Sequence, residues 1–346
     1  MCGVIGIAGS ASSFQGDPEY QAAYEAYRGL LTLQHRGQDA AGLLSYDDLS
    51  KMFYQKRDLG LVAQVFDRES IENLTGAMAI GHTRYATTGG NGKRDIQPLL
   101  TGAPFGLGMV HNGNIVNQRD LADTLTSELK RHLLTKNDLE ILLYYWSHYL
   151  LDGHEVRAES FSFANMCRAT KHIFDTFRGG YAVIGLVGQS GMIAFRDPDG
   201  IRPMVLGQKK TENGETRWCI SSETVALNYL GYEFLRDVAP GEFIYIDLEG
   251  NLLSAVLKTS KSLPAPCVFE WIYFSAAEST IENESVYKVR LRLGEQLGLK
   301  AQAAIDAGEI SPDVVMPVPD TSRSAAIAAA DTLGLPYREG LIKNRY

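Results

Sequence analysis

The order in which extended and helical runs follow one another is the tightest constraint on what this chain can fold into. Residues 3–8, GVIGIA, read as a short buried strand almost at the start. A helical spacing over 20–34 follows, then β-like runs at 42–46, 52–55, 77–82 and 106–111. Helical segments come next at 117–129, 138–151 and 161–177. Runs at 181–187 and 191–195, separated by Gly188-Gln189-Ser190, predict a hairpin, with more strands at 204–206, 217–221 and 242–246 and a turn at 247–251. Strands, then helices, then strands fit two antiparallel sheets between helical layers better than a regular βαβ alternation.

The style changes after 258–266, KTSKSLPAP, which has two prolines and no periodicity and reads as a linker. Beyond it Val286, Val289, Leu293, Leu297 and Ala301 step at helical spacing. A β-branched run at 313–318 is followed by Asp320-Thr321-Ser322, expected to cap an Ala-rich helix over 324–333. Strand, polar loop and helix make the opening of a doubly wound domain. The expected division is therefore a first domain over 2–257, a linker over 258–266 and a second, partial domain over 267–346.

Composition narrows the function classes. A chain of 346 residues with 45% hydrophobic content can bury two cores and is not globally disordered. Net charge is -8 with no basic tract, which argues against a nucleic-acid partner. A phosphorylated small molecule stays compatible, because backbone amides can bind it locally. The four cysteines, Cys2, Cys167, Cys219 and Cys267, form no CxxC pair, which points to a reducing compartment. With no signal-like start and no run of about 20 apolar residues, a cytoplasmic protein without a membrane partner is expected.

Cys2 is the residue with the most chemistry to offer. Once Met1 is removed, it carries a thiol and a primary amine together. A free α-amine titrates near ~8, so it can act as general base for its own side chain. The alternative is a small buried residue at a strand start. The neighbours favour chemistry: Gly3 follows the thiol, and three polar segments lie downstream. These are Gln34-His35-Arg36-Gly37-Gln38-Asp39, Gly81-His82-Thr83-Arg84-Tyr85-Ala86-Thr87 and His111-Asn112-Gly113-Asn114.

The MCG start, the HRG loop, the GHTRYAT segment and the HNGN segment together resemble the class II glutamine amidotransferases. Within them the chain is similar to the amidophosphoribosyltransferase family. QHRGQDAAG, the run from Phe195 to Pro203, Ser221-Ser222-Glu223-Thr224, the run from Arg236 to Glu242 and Val318-Pro319-Asp320-Thr321-Ser322 carry that likeness. It implies a four-layer αββα N-terminal nucleophile hydrolase domain followed by an incomplete type I phosphoribosyltransferase α/β domain.

The resemblance also implies roles. Cys2 attacks the side-chain amide of glutamine, giving glutamate and ammonia. Asn112 and the Gly113 N–H stabilise the oxyanion, where the alternative is an Asn-Gly hairpin turn. Arg84 clamps the substrate carboxylate, unless it is a surface arginine. Thr87 assists it. Asp138 takes the substrate ammonium, although a helix N-cap at Asn137 or Asp138 would explain that residue as well. Arg36 belongs to the glutamine site and braces the nucleophile. His35, His82 and His111 are expected to make local hydrogen bonds rather than a metal site, and the Arg196–Arg202 segment to be a structural loop.

By the same likeness, ammonia passes internally to phosphoribosyl pyrophosphate, giving 5-phosphoribosylamine in the first step of purine biosynthesis. Mg2+ would serve that half, with Thr321 near it. Purine nucleotide feedback inhibitors and a homo-oligomer are implied, and an iron–sulfur cluster at Cys267 is not expected. The usual acidic phosphoribosyl-binding loop is missing, and Ala276-Ala277-Glu278 replaces the family's Arg-Pro-Asp. The chain is thus expected to lack a complete acceptor site. The competing readings are another class II amidotransferase of the sugar-phosphate aminotransferase or asparagine synthetase type, a hydrolase of a different amide, and a non-catalytic regulatory module with the same fold.

Overall fold

The computed structural model describes residues 2–14, 21–85, 92–152, 161–260 and 263–343. They fall into two compact units, Met1–Cys267 and Val268–Tyr346. The first unit begins with β1 (Gly3–Ala8), α1 (Ala22–Thr32), β2 (Ala40–Asp47), β3 (Met52–Leu59), the short α2 (Val62–Val65) and α3 (Arg68–Glu72), and β4 (Met78–Arg84). Then come β5 (Leu99–Thr101), β6 (Leu107–Ile115), α4 (Gln118–Ser127), α5 (Asp138–Leu151) and α6 (Phe163–Thr176). It continues with β7 (Gly179–Val187), β8 (Gly191–Arg196), β9 (Val205–Lys210), β10 (Thr216–Ser221), α7 (Thr224–Leu230), β11 (Glu233–Asp237), β12 (Glu242–Asp247) and β13 (Leu252–Val256).

These strands make two antiparallel sheets. One runs β11-β9-β10-β1-β4-β2-β3 and the other β13-β12-β8-β7-β6-β5. Strand alternation sorts the side chains into three cores. Ile5 and Ile7 of β1 pack outward with Ala22, Ala26 and Leu30 of α1. Val4 and Ala8 turn inward, joining Met78, Ile80, Val110, Ala182 and Ile184 between the sheets. Leu107, Met109, Tyr181 and Val183 face outward on the second sheet against Leu142, Trp146 and Ile173 of α5 and α6. The result is the αββα layering. Gly29 lets α1 seat on β1, because a Cβ there would lie 2.1 Å from Ile5 Cδ1. Truncating a core residue such as Leu30 or Leu142 to alanine should cost about 2–5 kcal/mol.

Several strands run longer than sequence periodicity suggests. β3 continues through Gln55, Lys56, Arg57 and Asp58, a polar run that suits its place at a sheet edge. β4 and β6 extend through Arg84 and Ile115, so His82, Arg84 and the whole HNGN segment lie within strands. The Asn-Gly hairpin alternative at 112–113 is therefore overturned: both residues pair in mid-strand, with Ala182 and Tyr181.

The second unit contains a π-helical turn (Glu270–Phe274), the two-residue strands β14 (Thr280–Ile281) and β15 (Glu284–Ser285), α8 (Val286–Asp306) and α9 (Arg323–Leu333). The strand expected at 313–318 is only a bridge, Val315 with Tyr337. Pro317 and Pro319 lack ladder donors, and Met316 and Val318 stay exposed. The expected cap of α9 is also absent. Ser322 makes no side-chain cap and instead donates its hydroxyl to the Val318 carbonyl. Among the described residues no helix is long and apolar enough to cross a membrane.

Candidate active site

The register of β1 with β4 sets Gly3 opposite Thr83 and Val4 opposite His82. Continued by one residue, it brings Cys2 opposite Arg84. Alternation carries Cys2 in step with Val4, and His82 and Arg84 in step with Ile80, to the side facing the second sheet. On that second sheet Asn112 is in step with inward-facing Val110. Four polar residues far apart in sequence thus share one end of the inter-sheet layer.

The end of β1 that carries Cys2 is fastened by hydrogen bonds. The Gly3 N–H donates to Thr83 Oγ1 at 3.2 Å and the Val4 N–H to Ser222 Oγ at 3.0 Å. Arg36, buried, donates from Nε to the Cys2 carbonyl at 3.0 Å and from Nη1 to Glu223 at 2.5 Å. His35 Nε2 lies 2.9 Å from the same carboxylate oxygen. Burial alone would raise Glu223, but the Arg36 charge and these hydrogen bonds outweigh it and bring the carboxyl down to about 2. Arg36 is therefore engaged in bracing Cys2. The Cys2 thiol donates to the Tyr85 carbonyl at 3.9 Å. Burial pushes this thiol up, against the lowering effects of that carbonyl, Arg36 and Arg84. A thiol held protonated needs a base at hand.

Two donors face the opposite way, from β6. Asn112 is 1% exposed, and its Nδ2 has no hydrogen-bond partner among the described residues. Leaving such a donor unpaired costs about 1–3 kcal/mol. Gly113 N–H is exposed along the strand edge by alternation. On its other flank Tyr181 already gives its N–H to Asp197 Oδ2 and receives the Asp197 N–H. On the same edge, the His111 N–H is taken by Gln97 Oε1 at 2.7 Å and the Ile115 N–H by Asp138 Oδ2 at 2.9 Å. The Gly113 N–H lies between these two caps. A Cβ at 113 would meet the Gly180 carbonyl at 2.3 Å, so only glycine fits there.

The remaining expected residues fall as follows. Arg84 is buried at the end of β4, where its carbonyl receives the Asp39 N–H at 3.0 Å. Thr87 lies outside the described residues. Asn137 caps α5 by accepting from Leu139 N, and Asp138 occupies the first helical position. The Asp138 carboxylate engages the end of β6, with His111 Nε2 at 3.3 Å from its other oxygen. His111 makes local hydrogen bonds through its main-chain N–H and Nδ1, both to Gln97, while its Nε2 has only the 3.3 Å contact with Asp138. His82 does not: it is fully buried and neither ring nitrogen has a partner among the described residues. Burial, with His111 and Arg84 nearby, holds it well below the usual histidine range, so it is neutral.

Among the described residues no group of three His, Cys, Asp or Glu could hold a metal. In the second unit, Asp320 lies 3.6 Å from Arg323. With one hydroxyl from Thr321 beside it, this set is too sparse an oxygen shell for a resident cation. The Arg196–Arg202 loop is structural: the buried Arg196 guanidinium donates to the carbonyls of Arg202, Val238 and Gly200 at 2.6–2.7 Å. Sequence reasoning gave no role to Glu223 or Gln97. Glu223 sits in a segment noted only for its likeness, and Gln97 carries no motif signal at all.

The comparisons with known proteins agree with this arrangement. The glutamine amidotransferase domain family matches residues 82–229. The amidophosphoribosyltransferase of Escherichia coli (strain K12) is 40% identical over 346 residues, covering 100% of this chain and 65% of that protein. That of Pseudomonas aeruginosa is 41% identical, covering 100% and 66%. This chain thus spans just under two-thirds of the length of these curated relatives. Among solved structures, the glutamine phosphoribosylpyrophosphate amidotransferase from B. subtilis complexed with ADP and GMP superposes with a TM-score of 0.80 at 33% identity, covering 100% of this chain and 67% of that one. With the layered fold and the Cys2, Arg84 and Asn112 positions at one end of the inter-sheet layer, this likeness makes the chain a member of the amidophosphoribosyltransferase family.

Proposed function

We propose that this chain hydrolyses glutamine to glutamate and ammonia as the glutaminase part of an amidophosphoribosyltransferase. The observation that carries the reading is the buried Asn112 amide, whose Nδ2 has no partner among the described residues, sharing the inter-sheet end with Cys2 and Arg84. In the proposed reaction the α-amine of Cys2, freed by loss of Met1, takes the thiol proton as sulfur attacks the amide carbon of glutamine. Arg84 pairs with the substrate α-carboxylate, with Thr87 assisting, and Asp138 receives the α-ammonium. The tetrahedral oxyanion accepts hydrogen bonds from Asn112 Nδ2 and the Gly113 N–H, which are set before it forms. The intermediate collapses by breaking the C–N bond. The amine returns its proton to the departing nitrogen, which leaves as ammonia. Water then adds to the thioester through a second oxyanion, and glutamate leaves with the thiol restored.

The acceptor half follows from the relatives' names. Ammonia would displace pyrophosphate from phosphoribosyl pyrophosphate, giving phosphoribosylamine at the start of purine biosynthesis. Mg2+ would enter with the diphosphate and meet Thr321. No step of glutamine hydrolysis runs through it. The ADP and GMP in the B. subtilis structure support purine nucleotides as regulators.

Intact-mass measurement with a diazo-ketone glutamine analogue, paired with glutamine turnover, tests the reading. The expected result is loss of Met1 and a single adduct at Cys2. Turnover that persists with Met1 retained would refute the role of the amine. A chain that neither reacts nor turns over would be the regulatory module instead.

A further inference from the structure

β5 stops one step short of the reactive end of β6, and a side chain takes over from it. The ladder runs from Thr101 with Leu107 to Leu99 with Met109. Continuing that register would bring residue 97 opposite residue 111. The next residue of the chain, Pro98, has no N–H to offer a ladder. Instead Gln97, 2% exposed, bonds twice to His111 through its side chain. Its Oε1 accepts the His111 main-chain N–H at 2.7 Å, and its Nε2 donates to His111 Nδ1 at 2.8 Å. A longer contact of 3.4 Å reaches Asn137 Oδ1.

One amide thereby fixes two things. It satisfies the strand edge immediately before Asn112. It also sets the ring: with Nδ1 accepting, a neutral imidazole carries its hydrogen on Nε2, the nitrogen 3.3 Å from Asp138. Asp138 in turn holds the Ile115 N–H. The strand is pinned at 111 and at 115, with the Asn112 amide and the Gly113 N–H between the pins.

We infer that Gln97 is a positioning residue for glutamine hydrolysis, holding His111 so that Asn112 and Gly113 keep their aim on the oxyanion. This rests on the glutaminase reading above. Gln97 touches no reacting atom. Its action runs through the backbone of β6, where a displacement of about 1 Å can cost about 100-fold in rate.

Two variants of the full chain test it. Gln97→Leu keeps the shape and removes both hydrogen bonds. Its kcat for glutamine should fall about 100-fold with KM little changed, since the carboxylate clamp on β4 is untouched. Gln97→Glu keeps an acceptor for the N–H but sets a carboxylate against Nδ1. The ring must then carry hydrogen on Nδ1, and with Asp138 at Nε2 it can serve both carboxylates only as imidazolium. Among the described residues, Asp138 and His82 are titratable groups beside this ring. The ratio of variant to wild-type kcat should therefore fall as pH rises and that imidazolium loses its proton. If Gln97→Leu does not fold, this pH-dependent ratio still decides. An unchanged kcat in Gln97→Leu, a loss carried by KM alone, or a flat ratio in Gln97→Glu would overturn the inference. A wild-type chain without turnover sinks the functional reading and this inference together.

Discussion

Two buried polar clusters in the first unit behave in opposite ways. At the corner after β8, the buried charges of Arg196 and Asp197 are matched. Arg196 gives its guanidinium to three carbonyls, and Asp197 receives N–H groups from Tyr181, Asp199, Ile201 and Arg202. At the inter-sheet end near Cys2, Asn112 Nδ2 and both nitrogens of His82 are buried without partners among the described residues. Folding alone favours the first arrangement, because unpaired buried groups cost stability. The second persists where the groups serve a ligand that the folded chain does not itself supply. On the proposed function, the first is a structural corner and the second the working one.

The largest effect should come from the thiol. Cys2→Ala removes the proposed nucleophile, and glutamine hydrolysis should fall by about 10⁴-fold or more. The melting temperature should hold, since Cys2 is only half-buried. Turnover by that variant above background would remove the working corner from the comparison. At the structural corner the pattern should invert. Asp197→Ala strips an acceptor from four N–H groups and leaves Arg196 buried beside them. A loss of about 3–5 kcal/mol in chemical denaturation is expected, with turnover per folded molecule retained. A stable Asp197→Ala chain with impaired turnover would show that this corner takes part in the chemistry.

Asn112→Ala sharpens the contrast. Removing one oxyanion donor should lower kcat by about 10²–10³-fold and leave stability unchanged or slightly raised, because a buried unpaired amide goes with it. Steady-state kinetics beside a melting curve separate these outcomes. A matching loss of stability would mean that Asn112 is a core residue with an unseen partner.

The contrast between the corners also bears on what the sequence reveals. Strand alternation alone carries Cys2, His82, Arg84 and Asn112 to inner faces once strand limits are known. The limits were not legible, because His82-Thr83-Arg84 and His111-Asn112-Gly113 are polar at the point where periodicity expects a strand to end. Asp138 was readable both as ligand and as cap; the structure gives the cap to Asn137 and attaches Asp138 to β6. Gln97 and Glu223 act through contacts 14 and 187 residues away in the chain. No local pattern encodes such a distance. The strand expected at 313–318 failed because two prolines withhold the hydrogen bonds that β-branched composition seems to promise.

Glu223 tests whether the distinction holds within the working corner itself, where one buried carboxylate is fully matched. Its folded-state value, about 2, lies below its ordinary 4.5. A carboxyl depressed on folding contributes stability that is present above the unfolded value and is lost as pH falls through the folded one. The window is therefore about pH 4.5 down to about 2, and the contribution is on the order of 3 kcal/mol. Glu223→Gln should lower stability at neutral pH, and the gap from wild type should close as pH falls through that window. Denaturant midpoints measured from pH 7 towards pH 3 follow it directly. Because Glu223 holds Arg36, and Arg36 holds the Cys2 carbonyl, the same variant should also loosen the nucleophile and lower kcat. Stability curves that stay parallel down to pH 3 would show that Arg36 is braced by other partners, and that the thiol's footing does not depend on this carboxylate.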